Sequence, residues 1–186
     1  MARTDPSSSG ASGISAFIVP RDTPGLRIGA PDKKMGQRGT LTCDVVFEDA
    51  RVSADLLIGG APGQGFRTAM KVLDRGRLHI AAVACGTARR LIGDSLRYAE
   101  ERRQFGRPIA DFQLIQAMLA DSQTELFAAE AMVRETARRL DASRVSLDPH
   151  LPMAAAACKY FVTEMVGRVA DRAVQIHGGA GYMAGH

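Results

Sequence analysis

Up to about residue 58 the apolar positions come in short alternating runs, and from Phe66 onward they recur at three- and four-residue spacing. Ile14 to Pro20 (I-S-A-F-I-V-P) is β-branched and bounded by Gly13 and Pro20, which predicts a strand after a Ser- and Gly-rich loop over residues 1–12. Asp22 to Gly25 is a turn sequence, Leu26 to Ile28 a second short strand, and the polar stretch 33–40, with two glycines, a loop. Leu41 to Glu48 alternates as a half-buried strand does, and Val52 to Ile58 adds a further extended piece. Two or three such strands lack the second layer needed to bury an apolar face.

The later period is helical. Phe66, Met70, Leu73, Leu78, Ala81, Ala84, Cys85, Ala88, Leu91 and Ile92 form one stripe running to Tyr98. A second helix is expected from Asp111 to Asp141, with Asp111 as N-cap and Ile115, Leu119, Leu126, Val133, Ala137 and Leu140 on one face. The D-P-H-L-P stretch, 148–152, restarts the chain into a third helix over 153–175, whose Ala154 to Ala157 run would let a neighbour approach closely. Each helix is on the order of 35–45 Å long at the standard rise. Three long antiparallel helices call for a fourth to close a bundle. Between the two patterns lies G-G-A-P-G-Q-G, 59–65. A dinucleotide fingerprint would need a buried strand before it and an acid about 20 residues later in a βαβ unit. Neither is present, so this is read as a flexible linker.

Composition narrows the function classes. The chain has 186 residues, 46% of them hydrophobic, no Trp and a formal net charge of +4 from 24 basic and 20 acidic residues. Interspersed charge argues against a nucleic-acid protein, which concentrates positive charge on one face. Cys43, Cys85 and Cys158 are widely separated, without CxxC spacing, so neither a disulfide framework nor a metal site is expected, and reduced thiols in a cytoplasmic compartment are. There is no signal-type h-region and no apolar run long enough to span a bilayer, so no membrane association is expected.

Three segments carry candidate chemistry. In E-E-R-R-Q-F-G-R-P-I-A-D-F-Q, 100–113, Arg97, Arg102, Arg103 and Arg107 crowd around a Phe105–Gly106 corner. Two readings stay open on spacing alone. One is a solvated helix end with Gly106 at the C′ position; the other is a cradle for a phosphorylated, planar ligand. Gln113 is equally compatible with an ordinary first helical turn. In Q-I-H-G-G-A-G-Y, 175–182, one glycine serves a helix stop, and the additional glycines suit close backbone approach to a ligand. His177 reads as a polar neighbour of that ligand rather than a catalyst. Asp74-Arg75-Gly76-Arg77 interrupts a good helix with a glycine costing about 1 kcal/mol; close packing, a ligand, or an Asp74–Arg77 surface pair are the alternatives.

Taken in order, the segments F-I-V-P-R-D-T-P-G-L, K-M-G-Q-R-G-T, V-F-E-D-A-R-V, G-F-R-T-A-M, L-D-R-G-R, E-R-R-Q-F-G-R-P-I-A-D-F-Q-L-I-Q and Q-I-H-G-G-A-G-Y resemble the acyl-CoA dehydrogenase family, flavoproteins that oxidise acyl-CoA thioesters. The resemblance implies an α+β, mainly α fold. Residues 1–58 would be the second part of a middle β-barrel domain, 59–65 a linker, and 66–186 most of a C-terminal up-down four-helix bundle. It implies FAD contacts from Arg102, Gln104, Phe105 and Gln113, and from Gln175, Ile176, His177, Gly178 and Gly179, reaching a cofactor shared with a neighbouring subunit. Asp74 and Arg77 match positions near the acyl-CoA. An electron-transfer flavoprotein is the implied acceptor and a homodimer or tetramer the implied assembly. The family's usual base, a Glu in a later E-G-T segment, falls beyond residue 186, and the alternative position on the L-D-R-G-R helix holds Gly76. No catalytic residue is therefore assigned, and the 186 residues by themselves are expected to be inactive. A non-catalytic assembly or interaction module derived from the same family is the alternative.

Overall fold

The structure is a computed structural model and describes residues 1–143 and 148–184. It is α+β and mainly α, and it divides into two compact units, 1–71 and 72–186.

In the first unit regular structure is sparse. β1 (Ala2–Arg3) pairs antiparallel with β2 (Ile14–Ser15), and β3 (Leu26–Ile28) pairs antiparallel with β4 (Val45–Phe47), Leu26 opposite Phe47. The expected strand 14–20 is thus regular only over two residues. It continues as a ragged pairing in which Phe17 bridges Leu57, and the Ile18 and Ile58 amides donate to Leu56 and Ala16 (both 2.9 Å). The expected extended piece 52–58 instead contains a 3-10 turn, Ala54–Leu56, because the Ser53 hydroxyl accepts from the Asp55 amide and closes it locally. Nor is the start of the chain all loop, since β1 lies within it. Val45, Val46 and Phe47 are all exposed, unlike the half-buried alternation expected of them. A two-stranded ribbon has no layer of its own to bury a face against.

Ser15 is the best-buried polar residue here. Its hydroxyl lies 2.6 Å from that of Thr4 and accepts from the Gly63 amide at 2.9 Å. A Cβ on Gly63 would come within 2.4 Å of the Ser12 carbonyl oxygen, and one on Gly65 within 2.5 Å of the Ser15 carbonyl carbon. The glycines at 63 and 65 therefore answer close backbone packing, which corrects the flexible linker expected over that part of 59–65.

The second unit is built on α1 (Gly65–Glu101), α2 (Gln113–Ala142) and α3 (Leu151–His177). Small residues set the spacing: Ala81, Cys85 and Ala88 from α1, Ala129 from α2 and Cys158 from α3 are buried around Leu78, Leu126, Val162, Met165 and Val169. The helical stripes are largely as expected, with two differences. Phe66, Met70 and Leu73 are exposed. Of Ala154 to Ala157 only Ala155 is buried.

Ion pairs fix the directions. Glu125 on α2 meets Arg168 and Arg172 on α3, while Arg139 near the other end of α2 meets Asp148 just before α3, so α2 and α3 are antiparallel. Arg89 on α1 pairs with Glu130 on α2. The C-terminal ends of α1 and α3 come together, where the Tyr98 and His177 rings stack with centroids 4.5 Å apart. The helix ends also move. Pro152 is accommodated in the first turn of α3, where its missing N–H costs nothing, and α3 runs on to His177.

Candidate functional site

The α1–α2 corner is a small hairpin, β5 (Arg103–Gln104) against β6 (Arg107–Pro108). The Arg102 amide still donates to the Tyr98 carbonyl (2.8 Å), and the Ile109 amide donates back to the Arg102 carbonyl (2.8 Å), which closes the loop. Its two turn residues both have positive φ, Phe105 at 53° and Gly106 at 81°, the geometry of a two-residue hairpin turn. Gly106 is thus a turn residue and not the helix C′ residue that the solvated-end reading required. Asp111 is likewise no N-cap. It ends a 3-10 turn, Ile109–Asp111, and α2 begins at Gln113 behind Phe112, with no side-chain cap. The 3-10 turn after the hairpin takes up Asp111 and leaves Phe112 at the N-cap position.

Phe105 is unusual on two counts. A left-handed backbone costs a non-glycine residue about 1–2 kcal/mol, and the ring is 92% exposed. It touches Phe112 edge-on, with centroids 6.1 Å apart, and Arg107 lies over the Phe112 ring with Cζ 4.3 Å from its centroid. Strain and exposure together at one residue point to a surface kept for a ligand.

The charges divide in the same way. Along the helices Arg89, Arg90, Arg97, Arg134, Arg138, Arg139, Arg168 and Arg172 are each engaged by a carboxylate. At the corner neither Arg102 nor Arg103 has an ion pair or side-chain hydrogen bond among the described residues, and Arg107 is held only by the Phe112 ring.

The structure brings Arg102, Gln104, Ile176, His177, Gly178 and Gly179 to one cleft of about 490 Å³, together with Tyr98, Ile109 and Ala180. A second cleft, of about 700 Å³, shares Gln104 and Ile109 and adds Phe105, Phe112 and Gln113. Gln175 lies exposed in the last turn of α3 and lines neither. Ile176 is a buried core residue as well as a wall of the first cleft.

The glycine segment has a divided purpose. Gly178 ends α3 with φ 56°, and a Cβ on Gly181 would meet the Val174 carbonyl oxygen at 2.7 Å, so both are required by the fold. A Cβ on Gly179 would meet nothing within 4 Å. Its bare backbone lines the cleft and leaves room for a ligand.

Asp74 and Arg77 lie elsewhere. They bond to each other on α1, half-exposed, roughly 38–42 Å along the helix from Arg102 at 1.5 Å per residue. A Cβ on Gly76 would meet nothing within 4 Å, so close packing within the chain is not the reason for that glycine.

The buried thiols are unsuited to nucleophilic work, since burial pushes both Cys85 and Cys158 up from the ordinary thiol range. Among the described residues no cluster of His, Cys, Asp and Glu could hold a metal ion, and no helix is long and apolar enough to cross a membrane. Sequence reasoning passed over Tyr98 as a site residue, seeing only the end of a stripe. Its contact with His177 joins residues 79 positions apart (177 − 98), and no local pattern records that.

The donor set fits a dinucleotide diphosphate. It offers a guanidinium without a carboxylate, open glycine backbone, amide side chains and aromatic rings at one helix corner.

Comparison with known proteins identifies the family. Residues 63–186 match the family model described as acyl-CoA dehydrogenase, C-terminal domain. The chain is 48% identical over 170 residues to the probable acyl-CoA dehydrogenase YngJ of Bacillus subtilis, covering 91% of this chain and 43% of that protein. It is 40% identical over 182 residues to the caffeyl-CoA reductase–Etf complex subunit CarC of Acetobacterium woodii, covering 98% and 46%. Among solved structures, butyryl-CoA dehydrogenase from Megasphaera elsdenii superposes with a TM-score of 0.88 at 38% identity, over 98% of this chain and 46% of that one. The chain thus spans less than half the length of these relatives. With its helical unit matched by the family model and its hairpin and glycine segment meeting at one cleft, the chain belongs to the acyl-CoA dehydrogenase family.

Proposed function

We propose that these residues form the cofactor-facing portion of an FAD-dependent acyl-CoA dehydrogenase. FAD, when bound, supplies the two-electron oxidant for α,β-dehydrogenation of an acyl-CoA thioester. Arg102 offers its guanidinium to the diphosphate, and the Gly178–Gly179 backbone permits close approach beside it. Gln104 and Gln113 hydrogen-bond the polar parts of the cofactor from the clefts, and Gln175, outside both, is assigned to it by family resemblance alone. Phe105 offers a ring face, and Ile176 and His177 complete the wall. The observation that carries this reading is Phe105, strained at φ 53° and 92% exposed beside arginines with no carboxylate of their own.

Asp74 and Arg77 serve the acyl-CoA, at a distance from the cofactor corner consistent with a long thioester ligand. No residue here is assigned as the base that removes the α-proton, and we propose that the 186 residues by themselves do not turn over. The remaining parts of the proposal rest on family membership. They are a middle-domain portion over 1–58 and a bundle over 66–186, a homodimer or tetramer sharing each FAD between subunits, an electron-transfer flavoprotein as acceptor, and a cytoplasmic role in fatty acid metabolism. Free thiols at Cys43, Cys85 and Cys158 agree with a reducing compartment.

The test is the visible absorption spectrum of purified protein incubated with FAD and then freed of unbound flavin. Retained flavin bands are expected. Helical but colourless protein at every FAD concentration would overturn the cofactor assignment and leave the helical interaction module as the reading.

A further inference from the structure

Resting on the FAD reading above, the geometry points to His177 as a proton-linked contact. We infer that its imidazole holds the cofactor's diphosphate only when protonated, so that FAD binding takes up a proton there. Tyr98 acts as the positioning residue that fixes the ring.

The tautomer follows from the contacts. His177 Nδ1 lies 2.8 Å from the Ala173 carbonyl oxygen. A carbonyl can only accept, so Nδ1 carries a hydrogen and donates. The Tyr98 ring, stacked at an interplanar angle of 23°, holds the imidazole in that orientation. Nε2 is left with no protein partner among the described residues, on a side chain that lines the cleft with Arg102 and Gly179. In the neutral ring Nε2 therefore presents a lone pair, which repels a phosphate oxygen. Only the imidazolium, with an N–H on both nitrogens, can donate to one while Nδ1 keeps its bond to the Ala173 carbonyl.

Charges of both signs lie around the ring. Two of them favour the imidazolium. His177 is the last residue of α3, where the helix dipole favours a cation. Asp94, one turn before Tyr98 on α1, has its carboxyl held below the ordinary range, first by its hydrogen bond from Arg90 and then by the charges of Arg90, Arg97 and His177, against some desolvation. Opposing them are Arg102 in the same cleft and the Arg90 and Arg97 guanidiniums that already engage Asp94. The 3-10 turn that follows, Gly178–Tyr182, contributes only the Tyr182 phenol, which is exposed. A diphosphate brings two further negative charges beside the ring, and the proton passes from solvent to Nε2.

Binding and protonation are then reciprocal. The dissociation constant for FAD should rise roughly tenfold between about pH 6 and about pH 8, a range in which the diphosphate stays ionised. Calorimetric titration with FAD in phosphate and in Tris should show different enthalpies near neutral pH, corresponding to uptake of up to about one proton. His177→Phe keeps a ring against Tyr98 and removes the titrating group, so it should bind more weakly at low pH and lose the pH slope. A wild-type protein that binds FAD equally across this range without proton uptake overturns the inference while leaving the FAD reading intact, as does a His177→Phe variant with an unchanged slope. Failure of wild-type protein to bind FAD at any pH overturns both. Should the variant not fold, the proton count on wild-type protein decides the matter alone.

Discussion

Glu125 on α2 is gripped by Arg168 and Arg172 from α3, with all four contacts between 3.2 and 3.3 Å, whereas Arg102 and Arg103 at the α1–α2 corner have no carboxylate at all among the described residues. The two regions share a residue type and differ in what completes it. Between the helices Arg89, Arg168 and Arg172 find their anions within the chain, and the pairs add to a core of small side chains. At the corner Arg102 and Arg103 have no anion among the described residues, and the proposed diphosphate supplies one. The backbone makes the same distinction, since the three long helices have no non-glycine residue at positive φ and the hairpin holds Phe105 there. Stability and recognition are therefore separable by substitution.

The largest effect is expected in the helix interior. Met165 is fully buried among Cys158, Val162 and Val169, and Met165→Ala should cost about 2–5 kcal/mol of unfolding free energy, read by urea denaturation. Arg102→Ala should leave unfolding within about 0.5 kcal/mol of wild type, as at other surface positions. It should weaken FAD binding by about 1.5–3 kcal/mol, roughly 10- to 150-fold, as loss of a charge-assisted hydrogen bond does. If instead Arg102→Ala lowers stability as Met165→Ala does, the two regions are not distinct.

Glu125→Gln lies between these two. Its carboxyl is pushed up by desolvation and, more strongly in sum, held down by hydrogen bonds from Arg172 and Arg168 and by their charges, for a net lowering from the ordinary 4.5. A depressed folded value means that the stabilisation is complete above 4.5 and is lost as pH falls through the lower folded value. The substitution should cost about 1–2 kcal/mol at neutral pH and make unfolding less sensitive to acid. Smallest are two glycine exchanges. Gly76→Ala should stabilise α1 by about 1 kcal/mol, because nothing stands in the way of the new Cβ. Phe105→Gly should relieve about 1–2 kcal/mol of strain, offset by about 0.5–1 kcal/mol of glycine chain entropy, and so leave a slightly more stable protein that holds FAD less well.

The helices were legible in the sequence because a stripe such as Leu78, Ala81, Cys85, Ala88 carries its period within a few residues. The corner was legible as chemistry but not as shape. Arg102, Gln104 and Phe105 stood out, yet Asp111 looked like a helix cap, and only the structure shows a hairpin closed by Arg103 and Pro108 followed by a 3-10 turn that takes up Asp111. The strands were least legible. Val45 to Phe47 carry a half-buried pattern, yet all three are exposed on a two-stranded ribbon that has no second layer of its own. Tyr98 beside His177 was invisible, because ring contacts between helix ends follow from tertiary packing and leave no mark on spacing.

The most direct test is to measure FAD binding and thermal unfolding side by side on wild-type protein and Arg102→Ala, following quenching of flavin fluorescence. Separation of recognition from stability predicts an affinity at least tenfold weaker with an unchanged unfolding midpoint. Equal affinity in the two proteins, or a loss of affinity that only tracks a lowered midpoint, would contradict it.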